Sequence, residues 1–255
     1  MKRLLIRADD LGFSEGTNYG IAKTVTDGII RSVGLMPNMP AASHGWELIK
    51  DEDVCIGQHT NICVGKPLCN PGDIPSLTGD DGEFKSSRQY REAAKNGEDF
   101  VALDEVILEI EAQYQRFKEI TGREPEYFEG HAVASANFFK GLEIVAKRHG
   151  LDYLPFELQA DSFPFANGRL KMYMDSMLPD YDPFASLQRA VTEELPKEVV
   201  PMFVCHPGYL DAYILEKSSL TMPRPAEVAM AISDKTKVFL KENEVEIITY
   251  NDMKS

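Results

Sequence analysis

Long apolar runs are missing from this 255-residue chain. No stretch approaches the roughly 20 residues that a membrane-spanning helix needs. Met1-Lys2-Arg3 passes straight into a strand pattern without a small-residue cleavage site, so the expectation is a cytoplasmic, globular protein. Cysteine is scarce, and Cys55, Cys63, Cys69 and Cys205 show no C-x-x-C spacing, which points away from a zinc knuckle or redox pair and towards reduced thiols. Positive charge is short as well: 27 Lys and Arg against 41 Asp and Glu give a net charge of -14, which repels phosphate backbones and anionic lipid. Neither a nucleic acid nor a membrane is therefore expected as a partner; a neutral or cationic small molecule is easier to accommodate. Repeats, low-complexity tracts and composition breaks are absent, so residues 1–255 read as a single domain, with 43% hydrophobic residues to supply its core. A homodimer is the default expectation for oligomeric state.

What is present is an alternation of short β-rich runs with helix-period segments, the pattern of βα units around a mostly parallel sheet. Leu4 to Ala8 reads as the first strand, Ser14 as the cap of a helix through Ile21 and Val25 that Gly28 ends, and Ile29 to Met36 as the second strand. Ala41 to Lys50 is a short helix, and Val54 to Gly57 leads to His59. From Leu103, the residues Val106, Ile110, Tyr114 and Phe117 keep helical spacing until Gly122 and Pro125 stop it. Tyr127 and Phe128 form a strand ending near His131, and a helix through Phe138, Leu142 and Val145 stops at Gly150. Leu151 to Phe156 is strand-like, and Val199 to Cys205 is an apolar strand ending at His206. Pro225 opens the last helix, and Val245 to Tyr250 closes the chain as a strand. Between Asn61 and Phe100 the periodicity is lost while Pro and Gly accumulate, which predicts a long lid-like insertion after the His59 strand.

The residues able to do chemistry gather where strands end. The run Arg7-Ala8-Asp9-Asp10-Leu11-Gly12-Phe13 delivers two adjacent carboxylates from an apolar strand into a turn, at the strand end where α/β folds build their sites. Three of the five histidines, His59, His131 and His206, also follow strands. One such imidazole is ordinarily a hydrogen-bonded core residue. Three of them beside an Asp-Asp pair each need a compensating partner when buried, and one metal ion satisfies most of them at once. His149, in the last turn before Gly150, is accounted for by the helix dipole, and His44 by an exposed helix.

Several segments together resemble the YdjC-like carbohydrate deacetylases: Arg7 to Phe13, Gly57-Gln58-His59 with Asn61-Ile62, Pro75-Ser76-Leu77 followed by Asp80-Asp81-Gly82-Glu83-Phe84, Phe128 to His131, and Cys205-His206-Pro207-Gly208-Tyr209. The resemblance runs in order from Leu4 to Tyr250 and takes in Arg224. It implies an α/β fold, an irregular (β/α) barrel with mostly parallel strands and outer helices. It also implies a divalent metal ion, usually magnesium with zinc or manganese as alternatives, and removal of N-acetyl groups from a small acetylated amino sugar or chitooligosaccharide. Under it, Asp10, His59 and His131 are the metal ligands, Asp9 the general base and His206 the general acid. The chain departs from the family's pattern at Val133 and Ser135, where two further histidines are usual, and at Glu129, where aspartate is. The ligand His131 is retained, so the departures bear on neighbouring substrate contacts.

An amide hydrolase needs an activated nucleophile, a place for oxyanion charge and an acid for the departing nitrogen. Two imidazoles and one carboxylate leave open positions on a divalent ion for that purpose. Adjacent side chains on extended backbone face opposite ways, so a bend, assigned to Leu11-Gly12, must bring Asp9 and Asp10 to one site. Trp46, Phe84, Tyr209 and Tyr213 are candidates to stack on a sugar, and Arg224 to fix Asp9 or a substrate oxygen. Two other readings stay open. One is a metal-dependent hydrolase of another bond, such as a phosphoester, which calls for more Arg and Lys near the site. The other is a non-catalytic sugar-binding relative that keeps the ion, which does not require both Asp9 and His206.

Overall fold

From Leu4 onward every residue of the first strand, β1 (Lys2–Leu11), is buried, as a strand must be when the chain covers both of its faces. The structure, a computed structural model, describes residues 2–155 and 160–254. After β1 come α1 (Glu15–Thr26), β2 (Ser32–Leu35), α2 (Ala42–Ile49), β3 (Cys55–Thr60), α3 (Ser87–Lys95), α4 (Leu103–Thr121), β4 (Phe128–Gly130) and α5 (Ala136–His149). They are followed by β5 (Phe163–Phe165), β6 (Gly168–Tyr173), α6 (Pro183–Thr192), β7 (Val199–Cys205), α7 (Ala212–Lys217), α8 (Pro223–Ile232), α9 (Asp234–Glu242) and β8 (Val245–Ile248). The strands join in the order β4-β3-β2-β1-β7-β6-β5, with β8 paired to β1 through Lys2–Leu5. All these pairings are parallel except the β5–β6 hairpin. The sheet curls into a half-barrel surrounded by helices, the open form of the expected irregular barrel.

Alternation along the strands sorts their side chains into two layers. Leu4, Ile6 and Ala8 of β1, Val33 and Leu35 of β2, Ile56 of β3 and Phe203 and Cys205 of β7 pack with Ile21 and Val25 of α1 and Trp46 and Ile49 of α2. Leu5, Cys55, Tyr127, Leu170, Val204 and Tyr250 form the other cluster, inside the curl. Counting on in steps of two from the inner residues gives Arg7 and Asp9 on β1, His59 on β3, Glu129 and His131 after Tyr127, and His206 after Val204. One register rule thus seals the barrel with apolar side chains below and raises polar ones at the mouth.

Several elements differ from those expected. The second strand is shorter than Ile29 to Met36, the helix of Arg224 starts at Pro223 rather than Pro225, and α9 follows it, so it is not the last. Of Leu151 to Phe156, Tyr153 makes a single parallel bridge to Phe128, and Phe156 lies outside the described residues. The insertion has structure of its own: a 3₁₀ turn at Pro71–Asp73, an antiparallel bridge between Thr78 and Phe84, and α3. Ile62, Ile74, Leu77, Phe84 and Tyr90 pack onto Val106 and Ile110 of α4 and Phe138 and Leu142 of α5, and this local core replaces the missing periodicity. Helix ends follow the expected chemistry, with Ser14 capping α1 and left-handed Gly122 and Gly150 closing α4 and α5.

Candidate active site

The Asp-Asp pair is brought to one site by a bend at Asp10 itself, not at Leu11-Gly12. Asp10 has φ 75°, and the β1–β2 register slips between Ala8 and Leu11, as in a β-bulge. Aspartate tolerates this left-handed backbone better than most residues. Gly12 then makes the tight exit: its φ is 97°, and a Cβ there would meet Ala42 Cα at 2.8 Å. Asn18 of α1 secures the turn by accepting the Gly12 N–H at 2.6 Å.

Asp10, His59 and His131 converge. Asp10 Oδ1 lies 3.2 Å from His59 Nε2 and 3.1 Å from His131 Nδ1, and those two nitrogens are 2.9 Å apart. The other ring nitrogen of His59, Nδ1, is engaged by the Glu129 carboxylate, which turns Nε2 towards the cluster. Gly34 of β2 leaves the room: a Cβ there would stand 2.9 Å from Glu129 Oε1 and 3.0 Å from His59 Cβ. Asp10 Oδ1 is buried without a donor in hydrogen-bonding geometry. Two imidazole nitrogens and a carboxylate oxygen facing one point form a donor set that suits a small divalent cation, and the carboxylates around the two rings favour their charged form. Accordingly, although burial opposes the imidazolium, Glu129, Asp9 and Asp10 hold His59 up at about 10, and against the same burial cost Asp10 holds His131 at about 9. Asp10 shows the mirror effect: burial would raise its carboxyl, but Arg224 and His131 keep it well below the usual carboxylate range.

Two buried arginines divide the acids between them. Arg7 binds Asp9 through Nε at 2.6 Å and Nη2 at 2.7 Å, reaches Glu129 at 3.1 Å and donates to Tyr250 Oη at 2.9 Å. In a second cluster of potential ligands, Asp9, His59 and Glu129, both carboxylates are already engaged by the Arg7 guanidinium. Arg224 does not fix Asp9 as expected. Its Nη2 lies 2.7 Å from Asp10 Oδ2, and at 1% exposure it is no surface cation. Its Nη1 and Nε donate to the carbonyls of His206 and Leu220.

His206 lies at the end of β7 and lines the same cavity, of about 420 Å³, as Asp9, Asp10, His59 and His131. Burial pushes its imidazole down to about 4. Sequence reasoning missed Glu227, fully buried on α8, whose Oε2 accepts the His206 N–H at 2.6 Å and whose Oε1 accepts Tyr181 Oη at 2.8 Å. Its spacing of three from Arg224 on one helix is the signal that would have found it. Arg7 was missed as well, and its signal is a charge inside an apolar strand.

The aromatic candidates are displaced from the cavity. Trp46 packs in the outer layer under Arg123, Phe84 is buried in the insertion's core, Tyr209 is exposed, and Tyr213 packs edge-on against Phe13 in a small cluster with Met36, Met39 and Ile214. Phe13, Val133, Phe139, Leu154, Met172 and Met177 are among the lining side chains instead. Of the departures from the family's pattern, Val133 therefore contributes an apolar wall, Ser135 caps α5 and donates to Asp99, and Glu129 holds Nδ1 of His59. His44 is half-buried against Asn18, and His149 pairs with Glu111 at the end of α5.

The family described as YdjC-like protein matches this chain over residues 3–242. Carbohydrate deacetylase 2 of Listeria innocua is 33% identical over 98% of this chain and 98% of its own length. The carbohydrate deacetylase of Geobacillus stearothermophilus is 30% identical over 97% and 96%. In architecture the chain is similar to a protein of Enterococcus faecalis V583, solved as a candidate cellobiose-phosphate cleavage protein, with a TM-score of 0.81 at 22% identity over 99% of this chain and 98% of that one.

Proposed function

The chain belongs to the YdjC-like protein family, and from that premise we propose that it is a metal-dependent carbohydrate deacetylase, which hydrolyses the N-acetyl amide of a small amino sugar. The observation that carries this reading is the meeting of Asp10 Oδ1, His59 Nε2 and His131 Nδ1 within 3.2 Å, in a cavity that Asp9 and His206 also line. Those three atoms would hold the ion, with magnesium, manganese and zinc all compatible with such ligands. When bound, a divalent cation polarises the acetyl oxygen and makes water a better nucleophile.

The remaining work falls to side chains. Asp9, oriented by both contacts from Arg7, takes a proton from water as its oxygen adds to the acetyl carbon. His206 gives a proton to the amine nitrogen as the carbon–nitrogen bond breaks, so that acetate and a free amine leave. Arg224 holds Asp10 and the His206 carbonyl together, keeping ligand and acid in fixed relation. The apolar wall with Val133 and Met172 receives the less polar face of the sugar. Acetate release from a panel of acetylated amino sugars, measured with and without Mg²⁺, Mn²⁺ or Zn²⁺, tests the reading. Ion-dependent release is expected, and no release from any sugar with any ion overturns it.

A further inference from the structure

No carboxylate is bonded to Nδ1 of His206 among the described residues. That nitrogen lies 3.2 Å from the hydroxyl of Ser176, which is 2% exposed and sits in the turn after β6. The turn is anchored. The Asp175 carboxylate accepts a hydrogen bond from Ser186 Oγ at 2.7 Å and pairs with Arg189 of α6, and the Leu178 N–H closes back on the Asp175 carbonyl at 2.8 Å. The main chain of His206 is gripped on both sides, its N–H by Glu227 and its carbonyl by Arg224. With ring and backbone held, what is left to decide is which ring nitrogen carries the single proton of the neutral imidazole.

We propose that Ser176 is the positioning residue of His206: its hydroxyl accepts the Nδ1–H hydrogen bond, fixes that tautomer, and leaves Nε2 as the nitrogen that takes up a proton and delivers it to the departing amine. This rests on the deacetylase reading above. The protons balance: Nε2 gains one, passes it to the amine nitrogen as the carbon–nitrogen bond breaks, and the ring returns to its neutral Nδ1–H form. The proton Asp9 removes from water replaces it through solvent. A hydroxyl suits an acid here because it orients the ring without adding negative charge. A carboxylate in its place would hold the proton on the ring more tightly and make it a weaker donor. The low position of His206, set by its burial, agrees with an uncharged partner.

The test combines heteronuclear NMR of histidine-labelled, ion-free protein with kinetics of the ion-loaded enzyme. The wild type should show His206 as the Nδ1–H tautomer alone. Ser176→Ala should mix the tautomers and lower kcat about tenfold or more, with KM and ion stoichiometry unchanged. Ser176→Thr, which keeps the hydroxyl, should restore both readouts. An Nε2–H tautomer in the wild type, or a Ser176→Ala protein with unaltered tautomer and kcat, overturns the proposal. The NMR needs no substrate, so if no sugar is deacetylated the deacetylase reading fails while the tautomer still judges Ser176.

Discussion

At Asp10 the chain takes a positive φ that costs a non-glycine residue on the order of 1 kcal/mol, and the return is two neighbouring carboxylates that serve different partners. Asp9 goes to Arg7, while Asp10 goes to Arg224 and the histidines. His59→Ala and His131→Ala should therefore each abolish tight ion binding in calorimetry. His206→Ala should bind the ion normally yet turn over about 10²- to 10⁴-fold more slowly. Ion loss in His206→Ala would show that its role is misassigned. Glu227 gives the pH dependence. Burial raises its carboxyl from 4.5 to about 7, so between those values the unfolded chain releases a proton that the folded chain keeps. Its contribution to stability is thus fully present below about 4.5, falls as pH rises, and is lost above about 7. Denaturant melts of ion-free protein at pH 5 and pH 8 should show a smaller pH difference for Glu227→Gln than for the wild type; equal differences would refute the shift.

Elements supply the leverage that single residues lack. Helix α8 holds the end of β7 by Arg224 and Glu227, one turn apart, and so ties His206 to Asp10 of a different strand. Helix α4 does the same for the insertion. Buried Glu109 accepts the N–H groups of Leu68 and Cys69, and Gln113 bonds both to Glu109 and, in both directions, to the backbone of Asn61. Glu109→Ala leaves the part-buried N–H groups of Leu68 and Cys69 without their acceptor and should cost about 1–2 kcal/mol, with amide-exchange protection lost first at Leu68 and Cys69. Protection that persists there would mean that the hydrophobic packing of the insertion suffices. The insertion is a folded wall of the cavity, which Ser87 and Arg91 of α3 help to line.

On the scale of the whole molecule, an open half-barrel gathers carboxylates and imidazoles at one rim. A cation there would join β1, β3 and the end of β4. An ion at a hundred times its Kd stabilises by about 2.7 kcal/mol, which for a chain of this size is about 5–10 °C in Tm. Scanning calorimetry with and without chelator should show that difference in the wild type and none in His59→Ala. An equal difference in both proteins would place the stabilising ion elsewhere. Among the described residues no helix is long and apolar enough to cross a membrane.

Local signals made much of this legible. Strand and helix ends at His59, Gly122, Gly150 and His206, the Ser14 cap, and the turn carrying Asp9 and Asp10 depend on residues within one or two turns of each other, which a linear reading captures. The insertion was legible only as a loss of period, because its helix and turns are stabilised by packing onto α4 and α5. Partner choice was beyond reach: Arg224 meets Asp10 across 214 positions, Arg7 meets Tyr250 across 243, and Ser176 meets His206 across 30. By itself the amino-acid order determined which groups stand at strand ends. Sheet order, curl and the bend at Asp10 decided which of them touch, because those distances are set by how strands lie side by side and not by how far apart residues are along the chain.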